Sequence, residues 1–311
     1  MNCRICNHKV SIKYKDLYDD RYGYPGEFLL AQCKSCGHKF LVPPIEENTI
    51  NELYTKYYPR SKYQISQYKP KKELQGFKAW IQGYYAHAYA WVPKGVRVLD
   101  IGCGFGETLG FHKGRNCEVF GVEADENVIK VKNKFGFNIH IGTFTENLYP
   151  KGYFDYITMD QVIEHMVDPL RIFTEISRIL KPKGKLIIST PNSNGIEAKF
   201  FKKKWVNWHT PYHQQFFSIN SMKIALEKSG LELQKVKTIT NPEWMYYQIM
   251  HLIDFPEKQK PSKFWYGKNR KSLLRNLVLF LHQKVRLSFL LTRIFDSLNI
   301  GGNYVFVIQK K

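Results

Sequence analysis

The sequence predicts an α/β fold: an open, mostly parallel sheet with an antiparallel last strand, preceded by a small cysteine-rich domain. Three observations predict it. From residue 96 onward, strand-like runs alternate with helix-like runs at lengths that suit βαβ units. Near the C-terminus GGNYVFVIQKK (301–311) alternates apolar and polar residues after a glycine pair, as an antiparallel closing strand at the sheet edge would. At the N-terminus two Cys-x-x-Cys pairs stand thirty residues apart, ahead of the alternating region.

The cysteines come first in the chain. Cys3/Cys6 and Cys33/Cys36 form two knuckles, and two residues between thiolates let both sulfurs face one ion. Between them DDRYGYPGEFLLAQ reads as a turn and a strand leading into the second knuckle, the layout of a zinc ribbon over residues 1–44. Four cysteines complete a structural Zn2+ site with no open position. His8 and His38 are spare, and Cys103 and Cys117 read as buried thiols. A thioredoxin-like site would need a Cys-x-x-Cys opening a helix, which this context lacks.

Pro43-Pro44 ends the ribbon, and a tyrosine-rich helical lead-in fills 45–92, with helices expected near 46–57 and 73–91. The predicted strands are then 97–102, 118–123, 137–142, 154–159, 184–190 and 231–239, with helices at 107–113, 126–135, 169–180 and 219–229 between them. Residues 93–240 and 301–311 thus form the catalytic domain, and 241–300 a largely helical insertion. Ligands of such sheets bind beyond the carboxyl ends of the strands, so the residues just after each strand are the candidates.

Composition narrows the partners without choosing among them. The 311 residues include 47 Lys+Arg against 27 Asp+Glu, a net charge of +20, with 43% apolar residues. That excess favours anionic partners: nucleic acid, a membrane surface or phosphorylated substrates. The N-terminus has no apolar signal region, no run reaches about 18 apolar residues, and the cysteine spacing suits a reducing cytoplasm.

The turn after the first sheet strand, VLDIGCGFGE (98–107), decides the ligand class. Its glycines, Gly102, Gly104 and Gly106, are spaced G-x-G-x-G, whereas a dinucleotide fingerprint needs G-x-G-x-x-G. The sixth position is Glu107, which sits badly beside a pyrophosphate, and no Gly-Lys-Ser/Thr follows to make a P-loop. About twenty residues on, the next strand ends in Glu123, where a carboxylate can accept from both ribose hydroxyls.

Together DIGCGFG and VEAD resemble motif I and its acidic partner in class I S-adenosylmethionine-dependent methyltransferases. YFDYITMDQVIEHMVDPLRIFTEISRILKPKGKLIISTPNS extends the resemblance, toward ubiquinone-type and glycan enzymes, over roughly 90–220. It implies a Rossmann-like sheet and S-adenosylmethionine as cofactor. Gly102, Gly104 and Gly106 would let the backbone approach it, Asp100 would order the loop, and Glu123 with Ala124 would take the ribose. Thr143 and Phe144 fall at adenine, where many relatives carry Asp, and Asp160 and Gln161 fall where the methionine amino group is met.

For the methyl acceptor, a hydroxyl needs a base, and two segments beyond strand ends supply histidines. His165 follows the fourth strand, with packing under the cofactor or capping the next helix as its structural alternatives. NWHTPYHQQFFS (207–218) resembles a stretch of glycan methyltransferases and offers His213 as a second candidate base. Trp208, His209 and Tyr212 are its pocket residues. Neither an Asn/Asp-Pro-Pro-Tyr motif nor a cysteine near strands four to six is present, which argues against nucleobase amino and cytosine C5 methylation.

The reading that follows is O-methylation of a sugar or glycan precursor for surface polysaccharide. The alternative is a ribosomal or transfer RNA methyltransferase that grips phosphates through ribbon and charge. Residues 272–295 place Leu274, Leu277, Leu281, Val285, Phe289 and Phe295 on one stripe with Arg275, Lys284, Arg286 and Arg293 around it. Such a helix suits the inner face of an anionic membrane, or packing over the sheet or against another subunit in an oligomer.

Overall fold

The computed structural model describes residues 1–45, 49, 53–57, 65–266 and 272–311. At its centre is a seven-stranded sheet of β4 (Arg97–Ile101), β5 (Glu118–Glu123), β6 (Asn138–Ile141), β7 (Phe154–Asp160), β8 (Leu180–Pro191), β10 (Leu231–Thr238) and β11 (Asn303–Lys310). Its spatial order is β10-β11-β8-β7-β4-β5-β6. Neighbours from β8 to β6 are parallel, while β11 runs antiparallel to both β8 and β10. The last strand is therefore inside the sheet and not at its edge. Its alternation is explained by burial on both sides of Phe306 and Ile308, which join the main core.

The helices form where the periodicity predicts. They are α2 (Glu107–Lys113), α3 (Ile129–Phe135), α4 (Pro169–Ile179) and α6 (Ile219–Lys228), with an unpredicted short α5 (Ile196–Phe201) between the last two. Asp168 caps α4, accepting from the Arg171 N–H, with Pro169 in the first turn, where its missing N–H costs nothing. Ser218 and Ser221 close a reciprocal cap on α6.

Two helical expectations need correction. Residues 73–91 are not one helix: α1 (Gly76–Ile81) ends at Gly83, and two 3-10 turns follow, Tyr84–Ala86 and Ala88–Trp91. Gly83 has φ +62°, and a Cβ there would meet the Thr240 carbonyl at 2.6 Å, so the break seats the lead-in against the insertion. The helix expected near 46–57 falls largely outside the described residues, and Leu53–Tyr57 form a single π-helical turn.

The segment 272–295 is a helix pair, α8 (Leu273–Gln283) and α9 (Leu287–Ser297), broken at Arg286 with φ +60°. It follows α7 (Pro242–Ile253). Arg275, His282 and Arg293 face inward: Arg275 pairs with Asp254, Arg293 with Asp296 at 2.7 Å, and His282 bonds Ser288 and Glu243. Leu273, Leu274, Leu277, Phe280, Leu290 and Ile294 are each at least half exposed. The predicted stripe divides, with Phe289 buried and Leu274 and Leu277 outside.

The N-terminal unit has β1 (Val10–Leu17), β2 (Phe28–Cys33) and β3 (Lys39–Val42), joined as an antiparallel sheet. A fourth strand, β9 (Gln215–Phe216), comes from the segment after the catalytic sheet's fifth strand, pairing Lys39 with Phe216 and Phe40 with Gln215. Cys3, Ile5, Cys33 and Cys36 share one apolar core with Phe217 and Met222. The buried Lys39 ammonium, pushed down to about 7 by burial, donates to Ser193 Oγ at 2.9 Å and Asn194 Oδ1 at 2.7 Å. Sheet continuity, shared core and this polar tie fix the unit against the strand ends.

Candidate active site

The glycine turn owes its shape to left-handed backbone: Gly102 has φ +75°, Gly104 +54° and Gly106 +76°. At Gly102 a Cβ would lie 2.5 Å from Val162, so any side chain collides with the turn after β7. Beneath it Asp100 is buried, accepting from the Thr108 hydroxyl and, at 2.6 Å, from Thr158 Oγ1. Burial pushes its carboxyl up to about 6, and those bonds hold it back from rising further. Glu123 fastens the turn from the next strand: Oε2 accepts the Gly104 N–H at 2.8 Å and Oε1 the Asp125 N–H at 3.0 Å.

A cavity of about 1120 Å³ opens beyond the carboxyl ends of β4, β5 and β7. One end is lined by Gly102, Glu123, Ala124, Thr143, Phe144, Asp160 and Gln161, the residues expected at the cofactor. Asp100, Gly104 and Gly106 do not line it; they act from behind, Asp100 on the turn's floor and Gly106 as the left-handed cap of α2. Asp160 pairs with His87 at 3.0 Å through Oδ2, while its buried Oδ1 has no hydrogen-bond partner. Gln161, with φ +57°, turns its amide into the sheet, donating to Ser189 Oγ at 2.8 Å and Asn303 Oδ1 at 2.9 Å. It therefore presents backbone more than amide to the cavity.

The other end carries the histidines. Gln214 N–H donates to the Glu164 carbonyl at 2.7 Å and Gln215 Nε2 to the Met166 carbonyl at 2.5 Å, drawing 207–218 onto the turn after β7. His165, His209, Tyr212 and His213 consequently line one wall. His165 Nδ1 lies 3.0 Å from the Tyr212 carbonyl and His213 Nδ1 2.8 Å from the Asn207 carbonyl. A carbonyl only accepts, so each Nδ1 carries the hydrogen and each Nε2, in the neutral ring, is the basic nitrogen.

The two rings differ in what surrounds that nitrogen. His213 Nε2 meets His209 Nδ1 at 3.4 Å, and burial, with the charges of His165 and Arg21, pushes His213 well below the usual histidine range. His165 is only half-buried and faces the cavity. Glu164 beside it is fully buried, and that burial pushes its carboxyl up to about 8, favouring the protonated form. Donor atoms of Glu164, His165 and His213 lie within 4.8 Å of one another, close enough to share a proton or to hold a cation.

Trp208 does not line the cavity. It is a core residue, edge-on to Trp205 and Phe216 at 4.9 Å, with its indole N–H on the Lys202 carbonyl at 2.6 Å. Sequence reasoning missed His87, which reaches Asp160 from 73 residues away with no local signal, and Arg21, Gln214 and Trp244 of the far wall. Arg21 sits in the quoted DDRYGYPGEF turn, where its charge beside an apolar run was the available sign.

In the N-terminal unit the sulfur of Cys3 lies 3.6 Å from that of Cys36, and Cys6 3.5 Å from Cys33, all four within 4.8 Å. Zn–S bonds of about 2.3 Å in a tetrahedron place sulfurs about 3.8 Å apart, so the donor set fits zinc. His38 is stacked in the core on Phe40 and His8 bonds the Cys6 carbonyl, leaving the four thiols as the ligand set.

A doubly wound sheet, a glycine turn fastened by an acidic residue at the next strand end and a cavity above them form the architecture of an adenosine-ligand site. The chain belongs to the methyltransferase domain family, whose model matches residues 65–236. It is 32% identical over 162 residues to a ubiquinone biosynthesis O-methyltransferase of Dinoroseobacter shibae, covering 48% of this chain and 65% of that one. A ubiquinone biosynthesis O-methyltransferase of Idiomarina loihiensis is 30% identical over 153 residues, covering 44% and 62%. The chain thus spans somewhat under two thirds of the length of these relatives. Among solved structures it is similar to an S-adenosylmethionine dependent methyltransferase from Mesorhizobium loti, at TM-score 0.47 and 14% identity over 75% of this chain and 97% of that one. It is also similar to the geranyl diphosphate C-methyltransferase from Streptomyces coelicolor, at TM-score 0.48 and 12% identity over 74% and 75%.

Proposed function

We propose that the chain transfers a methyl group from S-adenosylmethionine to a hydroxyl of a sugar or glycan precursor, with His165 as the base. One observation carries the reading: a single cavity joins an acidic end, Glu123 and the orphaned Asp160 oxygen, to a histidine wall. The acidic end fits the cofactor, since Glu123 can accept ribose hydroxyls and Asp160 Oδ1 an ammonium. Bound there, the cofactor supplies a methyl group on a positive sulfonium. The wall's task is alignment and proton removal: the acceptor oxygen forms the new C–O bond as the S–C bond breaks, and its proton passes to His165 Nε2. Tyr212, through its carbonyl, keeps that nitrogen basic.

On the far wall His209, His213, Gln214 and Arg21, set among Pro44, Ile45, Leu53 and Trp244, offer hydrogen bonds to a hydroxyl-bearing acceptor. The RNA reading draws less support. The N-terminal unit is sheet-continuous with 207–218 and forms a wall of the cavity, where an RNA grip would project from it. The test is methyl transfer from radiolabelled S-adenosylmethionine to nucleotide sugars and glycan fractions, run beside ribosomal RNA and a prenylated catechol. Label in the sugar fraction is expected; label confined to RNA or the catechol contradicts the reading.

No helix among the described residues is long and apolar enough to cross a membrane. We infer that the outer face of α8 and α9 rests on an anionic bilayer, because exposed Lys284 and Arg286 flank Leu277, Phe280 and Leu290. Full-length protein is expected to sediment with phosphatidylglycerol vesicles but not phosphatidylcholine ones, and Phe280→Asp to stay in solution. Equal sedimentation of the variant would refute this.

A further inference from the structure

Among the described residues, the buried cation Arg21 has no counter-ion. It lies in the loop between β1 and β2, wound around Asp19, whose oxygens accept the N–H groups of Arg21, Tyr22 and Tyr24, each at 2.9 Å. Its carbonyl accepts the Ser262 N–H at 2.9 Å, and Gly23, with φ +80°, lets the loop come within 2.9 Å of Pro261, measured from a notional Cβ. The backbone is thus pinned on both sides, and the side chain is directed inward, 3% exposed.

The guanidinium stacks over Trp265 at 4.4 Å and lies 5.8 Å from Trp244. Nη2 donates to the Val206 carbonyl at 2.5 Å, and buried Nε has no hydrogen-bond partner. Neither neighbouring carboxylate serves it: Asp19 is spent on backbone N–H groups, and Asp20 faces His251 Nε2 at 3.2 Å. Among the described residues no carboxylate forms an ion pair with Arg21. Buried charges are ordinarily paired, because desolvation without a partner is costly. This one lines the cavity beside His209, Tyr212 and His213, opposite the acidic end.

We propose that Arg21 receives an oxyanion of the methyl acceptor, a phosphate or a carboxylate, so that the N-terminal unit selects the acceptor by charge. The inference rests on the acceptor lying at the histidine wall, as in the reading above. The aromatic faces hold the guanidinium plane and leave its in-plane donors for a two-oxygen anion, the geometry arginine offers and lysine does not. The acceptor class this fits is an anionic sugar, carrying either a phosphate or a uronic carboxylate. The reaction that supplies it is then a phosphoryl- or nucleotidyl-transfer step in the first case and a sugar oxidation in the second.

The test titrates full-length protein with inorganic pyrophosphate and, separately, glucuronate at constant ionic strength, with and without S-adenosylhomocysteine, following heat or melting temperature. Saturable binding of one of the two anions is expected. Arg21→Met and Arg21→Gln should weaken it by about tenfold to a hundredfold, the span for hydrogen bonds to a charged group. Affinity for S-adenosylhomocysteine should stay within about twofold in both. Glutamine can still donate to the Val206 carbonyl, so it separates lost charge from a lost structural bond. Pyrophosphate binding assigns a phosphorylated acceptor and glucuronate binding a carboxylated one. The proposal is overturned if the wild type binds neither anion, or if either folded variant binds as tightly as wild type. Failure to bind S-adenosylhomocysteine would count against the cofactor reading, while the anion titrations alone still decide the role of Arg21.

Discussion

Full-length protein carrying Cys33→Ser is expected to bind no zinc and to lose the N-terminal sheet, whereas the wild type is expected to hold one zinc ion per chain. Cys33 ends β2, is fully buried and brings its sulfur to within 3.5 Å of Cys6. Serine offers a hard oxygen in its place, and three thiols do not close the tetrahedron. Structural zinc stabilises small domains by about 10 kcal/mol or more, several times what a short three-stranded sheet supplies alone. The loss would spread. Ser218 Oγ caps the Cys36 carbonyl at 2.5 Å, Lys228 Nζ the Ile5 carbonyl at 2.6 Å, and β9 leaves its partner when β3 melts. Elemental analysis and calorimetric melting check this. A wild type without metal, or a variant with an unchanged melting profile, contradicts it.

The second large effect is expected at His165. His165→Ala should lower turnover by about 10²–10⁴-fold, the usual contribution of a positioned base. Cofactor affinity should be nearly unchanged, because His165 faces the acceptor end. His213→Asn should cost less. His213 is fully buried, and its Nε2 meets His209, so protonating it is disfavoured by desolvation and by the Arg21 charge. If His213→Asn abolishes turnover while His165→Ala spares it, the roles are reversed.

What could be read from the sequence was what is local. Local patterning found each strand of the central sheet along the chain, though not the interior position of the last one, and the spacing of Gly102, Gly104 and Gly106 with Glu123 located the turn beside the cavity. Each of those signals lies within some twenty residues and reports backbone geometry. The misses are non-local. The pairing of β3 with β9, the His87–Asp160 contact and the entry of Arg21 into the cavity join segments 73 to 185 residues apart, and no periodicity records them. Trp208 was misplaced for a related reason, since an aromatic beside two histidines looks alike in a pocket wall and in a core. The stripe at 272–295 divides because Arg275 and Arg293 turn inward to pair with Asp254 and Asp296, contacts that the local period does not record.

We expect the cavity between Glu123 and His165 to hold the methyl donor. Titration calorimetry of the full-length protein with S-adenosylhomocysteine tests it most directly, with Glu123→Ala alongside. One saturable site is predicted in the wild type, weakened by about tenfold to a hundredfold in Glu123→Ala, which removes the carboxylate that fastens Gly104 and is proposed to accept from the ribose. Absence of saturable binding in the wild type, or equal affinity in the variant, would contradict the account.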